Sequence, residues 1–471
     1  MVSERLTSVR GLLVGVLALL GGTVLGWVVV SGHRHLLELV GGVLGLVAVL
    51  SIPLGFLTQA FAFVSQAFPK AGKLEHGIPI DVGVVLSVIL LAKWGLTAVL
   101  QPDSLVRRSA GWLTTLLPIW LVWVAFAFLD GVIHHSRLSP LVVEGSALGA
   151  APLVGYWFTQ LPEGLARRAL AIARVALIFI VCFVFVQKLL HGHHTAISGL
   201  TVEAGGVSGY AAIYDRNNAT NVGLKMVATY QNGNLLGAYL ALASPLVMLI
   251  RSPRWRVLAF AGCLGAAILT LSRGTWFSVM AGFFFLAVLS REDRWPAFAI
   301  IGVSPIVALS TVFLKRLGHA FSTLSGRTPA YHDLWIAMTH HLTVGGFASW
   351  IVGWGMGGGP GGITSEDSSL LWMFLCTGLI GLLLYGAMVW AVGQEALRTR
   401  VGRILFAGML GTMVFELIDG QLFYVPTAWN FWMFAGLAVA FGRMAMTSQA
   451  QRQEEAGSPG AGAGTHPGSA G

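Results

Sequence analysis

The stretch WLTTLLPIWLVWVAFAFL (Trp112–Leu129) carries no charged residue. Its length approaches the ~20 residues that a helix needs to cross the hydrocarbon core of a bilayer. A strand of a membrane barrel would alternate in polarity and need only ~10 residues. This run is apolar throughout. In lipid a backbone must satisfy its own N–H and C=O groups, so such a run predicts a spanning helix. Comparable runs lie at Gly11–Ser31, Leu36–Val64, Ile80–Leu100, Pro140–Leu161 and Arg168–Leu190. A second set lies at Asn234–Ile250, Arg256–Leu271, Thr275–Leu289, Pro296–Leu314, Leu370–Val392, Ile404–Phe423 and Ala428–Ala445. The segment around Pro53 stays apolar to Phe68 and also suits a hairpin or re-entrant turn, so the expected total is about 12–14 spans. The expected fold class is all-α, a polytopic integral membrane protein with two long extracytoplasmic loops.

Composition supports this. Of 471 residues, 55% are apolar and 10% charged, against about 25% charged in soluble proteins. Soluble enzymes, secreted disulfide scaffolds and disordered regulators are thereby excluded. Cys182, Cys263 and Cys376 all fall in apolar runs, without metal-ligand spacing, and suit packing. Gly11–Ser31 is long enough to be a first span rather than a cleaved leader. The charge balance is 29 basic against 20 acidic residues, a net of +9. The basic residues cluster in short loops: Arg251, Arg254 and Arg256; Arg291 and Arg294; Arg398, Arg400 and Arg403. Such clusters mark the cytoplasmic side and set orientation; they call for no nucleic-acid partner. Residues 1–448 read as one membrane domain. Connections 191–231 and 315–368 are its long outer loops, and 449–471 is expected to be a disordered Gly/Ala/Ser-rich tail.

On the outer face this orientation collects polar residues. Lys225 precedes Asn232 and Asn234 at the start of a span, where an amide can simply cap a helix or join the lysine at a binding site. Ser272 and Arg273 form a short turn between spans; a membrane-end arginine snorkels to headgroups or grips a phosphate with its planar fork. The second long loop carries Arg327, His332, Asp333, His340 and His341, then a run of glycines including Gly355 and Gly357, and finally Glu366 and Asp367. The glycines can bring N–H groups to an anion or form a flexible turn. Adjacent histidines point about 100° apart on a helix, so no metal is expected, and no cofactor. Glu366 and Asp367 can complement a helix dipole or supply a general base. Charges inside spans are costly and often functional. Glu416 and Asp419 share a helix face near its outer end, while Lys93 and Glu144 can pair with each other.

In order along the chain stand TYQNGNLLGAYL (Thr229–Leu240), LTLSRGT (Leu269–Thr275), GWGMG (Gly353–Gly357) and EDSSLLW (Glu366–Trp372) running into GLIG (Gly378–Gly381). With the long loop between the second and third, these resemble the O-antigen ligase and polymerase superfamily of bacterial membrane glycosyltransferases. The match is close over Lys225–Leu384 and loose elsewhere. The resemblance implies metal-independent transfer of a glycan from a polyprenyl-pyrophosphate carrier on the outer face of the bacterial cytoplasmic membrane. It further implies pyrophosphate contacts from Arg273 and Arg327, a membrane-lipid environment, and a chain-length regulator or flippase as partner. Two departures stand out: Lys225 where the family often has arginine, and Asp367 where ligases typically have histidine. The second favours a polymerase joining oligosaccharide repeat units over a ligase with a lipid or protein acceptor. A flippase or transporter would show internal repeats, and none is evident.

Overall fold

The structure, a computed structural model, describes residues 51–68, 73–75, 78–80, 82–100, 111–134, 138–189, 219–220, 223–230, 232–308, 332, 336, 346–356, 368–418 and 425–457. The expected span Gly11–Ser31 and most of both long loops lie outside these residues.

The described residues are mainly helical, with two short antiparallel pairs and short connecting turns. Helix α1 (Leu54–Ala67) begins after Pro53, whose backbone is extended. Proline lacks the N–H and clashes with the preceding turn, so the expected run Leu36–Val64 is not one helix: it is broken at Pro53. Strands β1 (Lys73–Glu75) and β2 (Ile78–Ile80) pair before α2 (Val82–Leu100). Helix α3 (Leu113–His134) takes in nearly all of the charge-free stretch Trp112–Leu129. The expected span Pro140–Leu161 is built from α4 (Leu138–Gly145), a π turn at Ser146–Ala150, and α5 (Ala151–Thr159). Then come α6 (Glu163–Leu189), the pair β3 (Ala219–Thr220) and β4 (Gly223–Leu224), and α7 (Gly233–Ala243), which tightens into a 3-10 turn at Ser244–Leu249. The rest are α8 (Pro253–Leu269), α9 (Arg273–Leu289), α10 (Arg294–Ala308), α11 (Gly346–Val352), α12 (Ser369–Ala396), α13 (Arg400–Ile418) and α14 (Val425–Gly457).

Among the described residues five helical stretches are long and apolar enough to cross a membrane: Leu113–Ile133, Leu141–Thr159, Glu163–Leu189, Ser369–Ala396 and Pro426–Gln449. The outward faces are apolar too. Val122 is 72% exposed, Ile133 76% and Leu383 63%, which water would penalise and lipid tails would not. Inside, small residues let backbones approach, as lipid-embedded helices require. A Cβ on Gly411 would lie 2.7 Å from the Ser278 carbonyl, and one on Gly155 would lie 2.6 Å from that of Trp432. These glycines set the α9–α13 and α5–α14 contacts.

The helices alternate in direction between two ends of different character. At one end Arg400 donates to Asp293 at 2.7 Å and to the Met248 carbonyl at 3.0 Å. Arg256 donates to Ile250, Arg403 to Leu397 and Glu292, and Arg443 to Thr159 and Leu161. This arginine-rich end joins the tops of loops that the sequence separates widely. The opposite end holds the starts of α7, α9 and α12 and the close of α13.

Two expectations need correction. The tail from residue 449 is not structureless at its start, because α14 continues to Gly457. Gln449–Ala456 reads Gln-Ala-Gln-Arg-Gln-Glu-Glu-Ala, a run of good helix formers; residues 458–471 are outside the described set. Nor does connection 315–368 stay wholly outside the bundle. Helix α12 is broken at Gly378 (φ 68°, ψ −173°), about 14 Å along its axis from Ser369. The break frees carbonyls, and the segment after α11 occupies it. Trp354 N–H donates to Leu375 at 2.8 Å, Gly355 N–H to Cys376 at 3.1 Å, and the Trp123 indole to Thr377 at 2.8 Å. Met356 N–H donates to Ala127 of α3 at 2.9 Å. Irregular backbone at this depth survives only when protein satisfies it.

Lys93 donates to the Ile52 carbonyl, whereas buried Glu144 accepts from the Trp372 indole at 3.0 Å and the Cys376 thiol at 3.6 Å. Each of the two charges expected to pair therefore has a partner of its own.

Candidate functional site

The end opposite the arginine cluster is assembled from stretches far apart in sequence. Met226 N–H donates to the Leu269 carbonyl at 2.9 Å, which lays the segment after β4 beside the close of α8. Gln187, near the end of α6, pins the same segment. Its side-chain oxygen accepts from Val227 N–H and Ala228 N–H, both at 3.0 Å. Ala228 has φ 49° and Leu271 has φ 52°. Left-handed conformations are disfavoured for residues with a Cβ, and strain of this kind gathers at functional sites. Among the described residues these are the non-glycine cases, and both border this end.

Asn232 caps α7, accepting from Asn234 N–H at 2.9 Å and Leu235 N–H at 2.8 Å. Asn234 turns its own side-chain oxygen to Lys225 Nζ at 3.1 Å. Between them, Gly233 permits contact: a Cβ there would lie 2.9 Å from both the Lys225 side chain and the Thr270 carbonyl. Thr270 closes α8 three residues before Arg273 opens α9, so Lys225 packs beside the chain that leads into Arg273. Ser272 caps α9 through Thr275 N–H at 3.4 Å. Thr229 and Thr275 are fully buried, and their hydroxyls have no hydrogen-bond partner among the described residues.

Helix α13 closes the group. Ser369 donates to the Glu416 carboxylate at 2.6 Å, and Ser368 donates to the Glu416 carbonyl at 3.1 Å while capping α12 through Leu371 N–H. Glu416 is completely buried. The N-termini of α7, α9 and α12 therefore all lie at this end, the first two packed together and the third joined through α13, each contributing partial positive charge there.

Of the residues singled out from sequence, the structure gathers Lys225, Asn232, Asn234, Ser272, Arg273 and Glu416 at this end. Gly355 is a correction: it stands with φ 78° in the α12 break, and its N–H is held by Cys376, so it presents no anion-binding donor. Arg327, His340, Gly357, Glu366, Asp367 and Asp419 lie outside the described residues. Gln187, Ser368 and Ser369 join this end without having been expected as site residues, although both serines stand in the EDSSLLW stretch. Gln187 left one trace, a lone amide near the end of an apolar run. The serines left none beyond their helix-cap spacing.

In comparison with known proteins, no family model and no curated protein matches this chain.

Proposed function

We propose that this polar end is the active site of a membrane glycosyltransferase that joins polyprenyl-pyrophosphate-linked oligosaccharides into a polymer. The observation that carries the proposal is the packing of Lys225 against Asn234 and the chain that leads into Arg273, where α7 and α9 both begin, bordered by two strained backbone positions. When a glycosyl group leaves its carrier, the bond from the anomeric carbon to the phosphate oxygen breaks and negative charge gathers on the diphosphate. Fixed cations and aligned N–H dipoles stabilise that charge most where water is scarce. The acceptor hydroxyl attacks the anomeric carbon and loses its proton, and the role of base falls to Asp367, with Glu366 beside it. One displacement inverts the anomeric configuration.

On this reading the arginine-rich end faces the cytoplasm and the polar end faces outward. The bundle then has about 12–14 spans, and the connections around residues 191–231 and 315–368 hold the glycans on the outer side of a bacterial cytoplasmic membrane.

The test is incubation of the purified full-length protein with a polyprenyl-pyrophosphate-linked oligosaccharide. The expected product is a ladder of lengthening glycans with release of polyprenyl pyrophosphate. A single transfer to an added lipid or protein would make the protein a ligase. Transbilayer movement of intact substrate without covalent product would make it a transporter.

A further inference from the structure

We propose that the arginine-rich end carries a binding surface for anionic phospholipid headgroups, formed by Arg251, Arg254 and Arg291 with Trp255 and Trp295. This surface is separate from the polar end, and the inference does not depend on the function proposed there. The acids at this end are already engaged. Asp293 is buried and held by Arg400 and the Ser290 hydroxyl, and Glu292 faces Arg400 and Arg403. Among the described residues Arg251, Arg254 and Arg291 are exposed and carry no ion pair or hydrogen bond, so the surface is left with an excess of positive charge.

These residues come from two segments, and one side chain joins them. The Arg400 guanidinium nitrogen that binds Asp293 also binds the Met248 carbonyl. Met248 precedes Arg251 by three residues, and Asp293 follows Arg291 by two. The chain leading into α8 and the chain leading into α10 are therefore tied together at Met248 and Asp293, and both N-terminal dipoles favour an anion.

A free phosphate would need only the cations. The flanking residues point to a lipid instead. Trp255 is 65% exposed and Trp295 78%, and such indoles prefer the headgroup level of a bilayer. Further along the same helices Val257, Leu258 and Phe298 are also exposed, an apolar continuation for acyl chains. A phosphate-bearing headgroup with attached chains matches both halves of the surface, and an anionic one matches its charge.

The test is thermal unfolding of the full-length protein in neutral detergent, titrated with phosphatidylglycerol, phosphatidylcholine or inorganic phosphate. Phosphatidylglycerol is expected to raise the melting temperature by about 2–4 °C, with little effect from the other two. In the triple variant Arg251→Gln, Arg254→Gln, Arg291→Gln its apparent affinity is expected to fall about 100-fold, at roughly fivefold per cation. Should that variant fail to fold, the matching triple lysine variant is expected to keep most of the affinity. The parent protein's affinity is expected to fall at least about tenfold at high salt. The proposal is overturned if phosphatidylcholine stabilises as well as phosphatidylglycerol. It is equally overturned if phosphatidylglycerol stabilises the glutamine variant as well as the parent, if high salt leaves the affinity unchanged, or if inorganic phosphate reproduces the full shift.

Discussion

Replacing Arg273 by alanine is expected to slow glycan chain growth by about 10²- to 10³-fold at equal protein level, the usual loss when one fixed donor to a developing charge is removed. Arg273 opens α9 directly after its Ser272 cap, so the guanidinium sits where the helix dipole already favours an anion. Its charge adds to a field that the backbone has set up. Arg273→Lys keeps the charge but loses the planar fork, and an intermediate loss of about tenfold or more is expected. The assay is product length on a gel after a fixed time. A normal ladder from Arg273→Ala would remove this residue from the site. Melting temperature serves as the control, because it separates a loss of function at the site from a loss of folded protein.

The largest effect on stability is expected from Gly378→Ala. At φ 68° and ψ −173° the backbone is open essentially to glycine alone, and a side chain there would meet the Ile351 carbonyl and lie 2.6 Å from Gly353 N. The cost is about 3 kcal/mol or more, because strain at residue 378 and loss of the α12 break arise together. If the break closes, Trp354 and Gly355 lose their acceptors inside the bundle, which adds unsatisfied donors. Gly386→Ala, in the same helix with open space around it, is expected to be neutral or slightly stabilising. A Gly378→Ala protein that melts with the parent would contradict the account of the break.

The helices were legible because a spanning segment announces itself through a long charge-free run, whatever surrounds it. Arg168–Leu190 was read to within a few residues of α6, which starts earlier because Pro162 ends the preceding turn and Glu163 suits a first-turn position. Pro53 was visible as an anomaly. Its consequence, a fresh helix start, was not fixed by hydropathy. The break in α12 was hidden for a different reason. Gly378 and Gly381 in an apolar run look like the small residues of any packed membrane helix, and a dihedral angle leaves no mark on composition. The glycine run at 353–362 misled in the same way. Its glycines signalled close backbone approach, but what Gly353 approaches is helix α12 and what Gly355 approaches is helix α3, not an anion. At the polar end, residue types revealed Lys225, Asn234 and Arg273, whereas Gln187 and the serines before α12 act through backbone geometry that appears only once the chain is folded.

The account depends most on the polar end and the arginine-rich end lying on opposite faces of the membrane, with the polar end outward. Reporter cysteines placed by Lys225→Cys and by Arg254→Cys, in a Cys182→Ala background that leaves only the buried Cys263 and Cys376, can be labelled with a membrane-impermeant maleimide in sealed right-side-out vesicles. The account predicts that the Lys225→Cys protein labels before the vesicles are opened and that the Arg254→Cys protein labels only afterwards. Labelling of both from the same side, or in the reverse order, would contradict it.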